Sequence, residues 1–168
     1  MYNILSVDGR GATQALIATK IIQIIDEKLK KSTGEGVIKH FDQITSSSTT
    51  AFPAALIAHG YTLEKTYKIV KTSFSNVFES DAKSFLSMIK DLYKKCTFSN
   101  SDKIKSYNLD RFDDLSTICH KVTMGESKIP LLLLAAKNSQ KLETHYFSST
   151  YDKDVALLDA VKSCIADK

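Results

Sequence analysis

Two short polar turns in this 168-residue chain hold the residue types that could do chemistry: "DGRGAT" at 8–13 and "TSSSTT" at 45–50. A serine on a sharp turn between a strand and a helix is lifted into the open, and the helix N-terminus beside it favours developing negative charge. A glycine turn close by can offer backbone N–H donors to a tetrahedral oxyanion. Together these are the minimal parts of a serine acyl hydrolase, short of a general base, and without a base a serine hydroxyl is a poor nucleophile. Local sequence equally accommodates a plainer reading. In it, Ser48 belongs to a hydroxyl-rich helix N-cap and "DGRG" is a glycine turn and nothing more.

The other reactive residue types form no pattern. Of the four histidines, His40, His59, His120 and His145, the last comes nearest to a base, in "ETHYF" on an expected strand, and none is assigned that role. Cys119 and His120 are adjacent in one expected helix and so diverge around it. The three cysteines, Cys96, Cys119 and Cys164, are far apart and lack any CxxC spacing, so neither a metal site nor a disulfide framework is expected. No cofactor is implied.

Strands and helices must position the two turns. "YNILSV" is a short apolar run entering the glycine turn, which predicts a buried strand. A helix follows from Ala15, with Ile17, Ile21, Ile24, Ile25 and Leu29 at three- and four-residue spacing as its expected inner face, closing at "STGEG". "VIKHFDQIT" (37–45) reads as a second strand and "AFPAALIAHG" as a helix closing at Gly60, with Pro53 tolerated in its first turn. Further helices are expected over 62–74, 81–96 and 114–125. "KIPLLLLAAKN" reads as a buried core strand, "ETHYFSST" as a more exposed one, and 153–168 as a last helix. Alternating strands and helices predict an α/β fold in which helices cover a mainly parallel sheet. In such a sheet the functional end lies beyond the strands' carboxyl ends, where both turns fall.

Composition narrows the function classes. The chain is 43% hydrophobic and 25% charged, enough for one globular domain over residues 1–168. Its net charge of +4 rests almost wholly on lysines spread along helices, Arg10 and Arg111 being the arginines. That distribution is unlike a nucleic-acid reader, and no nucleic-acid partner is expected. No basic, apolar leader opens the chain and "IPLLLLAA" is too short to span a bilayer. The expectation is a cytoplasmic protein, or one secreted without a cleavable signal peptide, with no transmembrane segment.

The quoted turns also carry a resemblance. "ILSVDGRGATQALIAT" followed by "FDQITSSSTTAFPAALIA" resembles the opening of patatin-like phospholipases, with their oxyanion loop D-G-G-G-x-R-G and their nucleophile stretch F-D-x-I-x-G-x-S-x-G. Asp8, Gly9 and Gly11 match the loop, while Arg10, Thr13 and Gln14 stand in place of a glycine, the arginine and the last glycine. Phe41, Asp42 and Ile44 match the strand, and Ser48 falls on the nucleophile, with Ser46 and Thr50 where the elbow glycines would be. A thinner likeness runs through "GESKIPLLLLAA" to "LLDAVKSCIADK", which is similar to the helix leading to the family's S-A-A-P stretch.

The resemblance implies a three-layer α/β/α patatin-like fold, incomplete at its C-terminus. It implies hydrolysis of a phospholipid or lipid ester at a membrane surface, with Ser48 as nucleophile and Gly9, Arg10 and Gly11 around the oxyanion. The family's base is an aspartate in a D-G-G or D-G-A motif, which this sequence does not contain after its S-A-A-P-like helix. Two readings follow: an acyl hydrolase that draws its base from a second polypeptide, or a catalytically inactive remnant that serves as a binding module.

Overall fold

The computed structural model describes residues 1–74, 122–137 and 143–165. The helix expected over 81–96 and most of that expected over 114–125 lie outside the described residues.

Strand β1 (Ile4–Val7) runs into the glycine turn and helix α1 (Ala12–Thr33). The chain returns through a 3-10 turn (Val37–His40) to strand β2 (Gln43–Ser47). A second 3-10 turn (Ser48–Thr50) leads into helix α2 (Ala51–Ala58), and helix α3 covers 63–74. Strands β3 (Leu131–Lys137) and β4 (Glu143–Ser148) follow, then helix α4 (Leu157–Ile165). The four strands lie in the order β1-β2-β3-β4, with the first three parallel and β4 antiparallel at one edge.

The expected strand over 37–45 is thus shorter, and its first half is a 3-10 turn. The cause is Asp26 on α1, a buried carboxylate that accepts the Val37 N–H at 2.7 Å and pairs with Lys30 at 2.6 Å. Gly36 leaves room for Asp26 at this crossing, since a Cβ there would come within 2.6 Å of Asp26 Oδ1 and force it to shift. Pairing of β1 with β2 begins lower down, where Asn3 and Asp42 exchange two bonds: Asn3 N–H to Asp42 Oδ2 at 2.7 Å and Asp42 N–H to Asn3 O at 2.8 Å. Asp42 is therefore a strand-starting residue.

Helix α1 also differs from its expected orientation. Its buried face is Ala12, Ala15, Thr19, Ile22 and Asp26, whereas Ile17, Ile21, Ile24 and Ile25 are exposed on the opposite side. Small residues let the helix backbone lie close to its neighbours, and Thr19 Oγ1 is satisfied by the Ala15 carbonyl at 2.7 Å. The helix begins at Ala12, three residues before its expected start, directly after Gly11 at φ 94°.

The core centres on α2, where every residue from Ala51 to Ala58 is buried. A helix apolar on all sides is one enclosed by its neighbours. Phe52 meets Phe74 of α3 edge to face at 6.1 Å. Leu131, Leu133 and Ala135 of β3 are buried and Leu132 and Leu134 half-buried, as expected of a central strand. Residues 123–126 do not close an α-helix. Thr123 bridges to Ala156, and its capping box with Glu126 winds Met124–Glu126 into a 3-10 turn. Among the described residues no helix is long and apolar enough to cross a membrane.

Candidate active site

The parallel register of β1 and β2 brings the two polar turns together. Val7 lies opposite Ser46, so the next steps set Asp8 beside Ser47 and Gly9 beside Ser48. All of this occurs beyond the carboxyl ends of the parallel strands, where open α/β sheets place their ligands.

Side-chain hydrogen bonds then lock the turns to one another. Ser46 Oγ donates to the Val7 carbonyl at 2.7 Å, and Thr50 Oγ1 lies 3.0 Å from the same carbonyl and 2.7 Å from that of Ser47. Thr49 Oγ1 reaches the carbonyls of Gly9 at 3.1 Å and Gly11 at 2.9 Å. Ser47 Oγ donates to Asp8 Oδ1. Four of the five hydroxyls from Ser46 to Thr50 are committed in this way. The fifth is not: Ser48 Oγ makes no hydrogen bond among the described residues, and the residue is half-buried.

Ser48 is also the one non-glycine with a positive φ among the described residues, at 52°. The left-handed conformation costs an ordinary L-residue about 1–2 kcal/mol, and such strain collects where a side chain must be aimed. It is the geometry of a strand-to-helix elbow, formed here with Ser46 and Thr50 on either side of the serine. Ser46 and Thr50 are both buried, and each hydroxyl is satisfied by the Val7 carbonyl.

In the glycine turn, the N–H groups of Gly9 and Gly11 have no acceptor among the described residues. The N–H of Arg10 has one, the side-chain oxygen Oε1 of Gln14. The carbonyl and N–H of a trans peptide point in opposite directions. The Gly9–Arg10 peptide therefore turns its oxygen to Thr49 and its N–H to Gln14.

The described histidines are engaged elsewhere. His40 Nε2 lies 3.3 Å from Thr33 Oγ1. His59 faces the carbonyls of Ala55 at 2.8 Å and Thr123 at 3.1 Å with its two ring nitrogens. His145 packs edge to face on Phe147 at 4.6 Å, on β4, with β3 between it and β2. His120 lies outside the described residues. No group of three or more metal-ligating side chains gathers among the described residues. Two features escaped sequence reasoning: the Ser47–Asp8 bond and the Gln14–Arg10 bond. Both depend on pairing two turns some 39 positions apart or on a rotamer, though parallel pairing of the two predicted strands would have suggested the first.

No protein-family model matches the chain. No curated protein matches it by sequence. Among solved structures, the fold is similar to ExoU in the heterodimeric ExoU–SpcU complex of the Pseudomonas aeruginosa type III secretion system. The TM-score is 0.58 at 13% identity over 95% of this chain. A crystal structure of the type III effector protein ExoU gives 0.54 at 12% identity over 96% of this chain. Full-length ExoU in complex with full-length SpcU gives 0.51 at 12% over 95%. The chain spans 35%, 39% and 37% of those three chains, little more than a third of their length. What it has in common with them is the fold, a mixed α/β architecture on a mainly parallel sheet, of patatin-like type.

Proposed function

We propose that this chain carries the nucleophile of a patatin-like lipid acyl hydrolase. Ser48 is the nucleophile toward a fatty-acyl ester such as a phospholipid, and the N–H groups of Gly9, Arg10 and Gly11 surround the oxyanion. The observation that carries this reading is Ser48 itself: a strained φ of 52° and a hydroxyl left uncommitted in a run whose neighbours are all bonded. The distant fold likeness to ExoU supports the same reading. Ser48 Oγ attacks the ester carbonyl, its proton passes to a carboxylate base, and the alkoxide leaving group departs as the acyl-enzyme forms. That base is a carboxylate brought to this end of the sheet when substrate is bound. Among the described residues no base is bonded to Ser48.

The same absence favours a second reading, a patatin-like scaffold that binds without turning over. A fluorophosphonate probe separates the two. Incubation of the folded protein, beside Ser48→Ala, is followed by mass-spectrometric mapping of the adduct. The expected result is an adduct on Ser48 that the variant lacks. An adduct on Ser47, beside Asp8, would move the nucleophile by one residue. No adduct on folded protein leaves the binding scaffold as the function.

A further inference from the structure

We infer that Gln14 is a positioning residue that holds the oxyanion loop in a self-occupied state, its carboxamide oxygen sitting on the Arg10 N–H that an oxyanion would take. This rests on the hydrolase reading above and deepens it.

Three observations place Gln14 there. Its Oε1 accepts the Arg10 N–H. Its Cβ and Oε1 each lie 3.1 Å from where a Cβ on Gly9 would be, so the side chain lies directly over the turn and would have to give by a few tenths of an ångström for any larger residue there. Thr49 takes the carbonyls of Gly9 and Gly11 from the other side, which fixes the peptide between Gly9 and Arg10 with its N–H toward Gln14. The contact is therefore an amide oxygen held where a substrate's acyl oxygen would bind, one turn into α1 and within the same chain.

A carboxamide oxygen is a neutral acceptor, and a developing oxyanion is a stronger one. Substrate must displace Gln14 before the third donor contributes, so the loop is complete only in the reacting complex. Gln14 is exposed in the first turn of α1, and its side chain can rotate into solvent without disturbing the core. The cost of displacement is that of one net hydrogen bond, which predicts a rate change of about five- to tenfold when the oxygen is removed.

The test compares the rate of fluorophosphonate labelling at Ser48 in the parent, Gln14→Met, Gln14→Ala and Gln14→Glu. Met keeps the length and volume without an oxygen acceptor, Ala removes the side chain, and Glu keeps the acceptor and adds charge. Labelling about five- to tenfold faster in Gln14→Met and Gln14→Ala, and slower than the parent in Gln14→Glu, is expected, with little change in Tm. A purely structural role would move Tm and would not order the rates by acceptor strength. Equal or slower labelling in both Gln14→Met and Gln14→Ala, with the parent labelled, overturns the inference and leaves the hydrolase reading intact. Absence of labelling in all four folded proteins overturns both.

Discussion

At the residue scale, the chemistry of the elbow separates into groups that hold and one that is held out. Ser46, Thr49 and Thr50 tie the end of β2 to Val7, Gly9 and Gly11 through their hydroxyls. Ser48 bears the strain of that arrangement at φ 52°. Glycine relieves left-handed strain and alanine does not, so Ser48→Gly is expected to be about 1 kcal/mol more stable than Ser48→Ala in urea denaturation. Equal stabilities would mean that position 48 is unstrained in solution. That residues 45–50 form a strand-to-helix turn was legible in the sequence, because an apolar strand, a hydroxyl run and an apolar helix follow in order. The conformation that singles Ser48 out from four neighbouring hydroxyls was not, since it depends on which of them reach the first turn.

At the element scale, α1 shows how burial overrides pattern. Its isoleucines have the spacing of an inner face, yet the face turned inward is Ala12, Ala15, Thr19, Ile22 and Asp26. The choice follows from where α1 must begin. Gly11 starts it beside the elbow, and the buried residues of its first two turns are the small Ala12, Ala15 and Thr19. Asp26 then fixes the return of the chain by accepting the Val37 N–H. Removing a buried acceptor leaves its donor unsatisfied, so Asp26→Ala is expected to cost about 1–3 kcal/mol in urea denaturation. Gly36→Ala is expected to be destabilising in the parent and close to neutral in the Asp26→Ala background, because the atom it meets at 2.6 Å is Asp26 Oδ1. Additive costs in that double-mutant cycle would place the obstruction elsewhere.

At the scale of the whole molecule, α2 and α4 pack on the sheet, and β4 forms one edge of it with residues 143–146 exposed. Cys164 on α4 reports on that packing: it is buried, and burial pushes its thiol up to about 12. A thiol whose folded pKa lies above its unfolded value contributes stability that is fully present below about pH 9. That contribution is lost as pH rises from there toward 12. Native protein is therefore expected to resist iodoacetamide at Cys164 near neutral pH and to react once unfolded in urea, as read by site-resolved mass spectrometry. Cys164→Ala is expected to lose less stability than the parent between those pH values. Rapid native alkylation would show that α4 does not stay docked on β3 and α2.

By itself the sequence determined the fold class, the order of the described strands and of the helices that follow the two turns, and the place of those turns at the strands' carboxyl ends. Those are set by local signals, namely apolar period, glycine and proline punctuation, and hydroxyls at a helix start. Tertiary structure alone decided the rest: the φ of Ser48, the face α1 buries, the 3-10 turn that replaces half of the second strand, and the Gln14 oxygen on the Arg10 N–H. Each depends on atoms brought together from separate parts of the fold or on a single rotamer. No local pattern encodes a contact whose partner is chosen by packing.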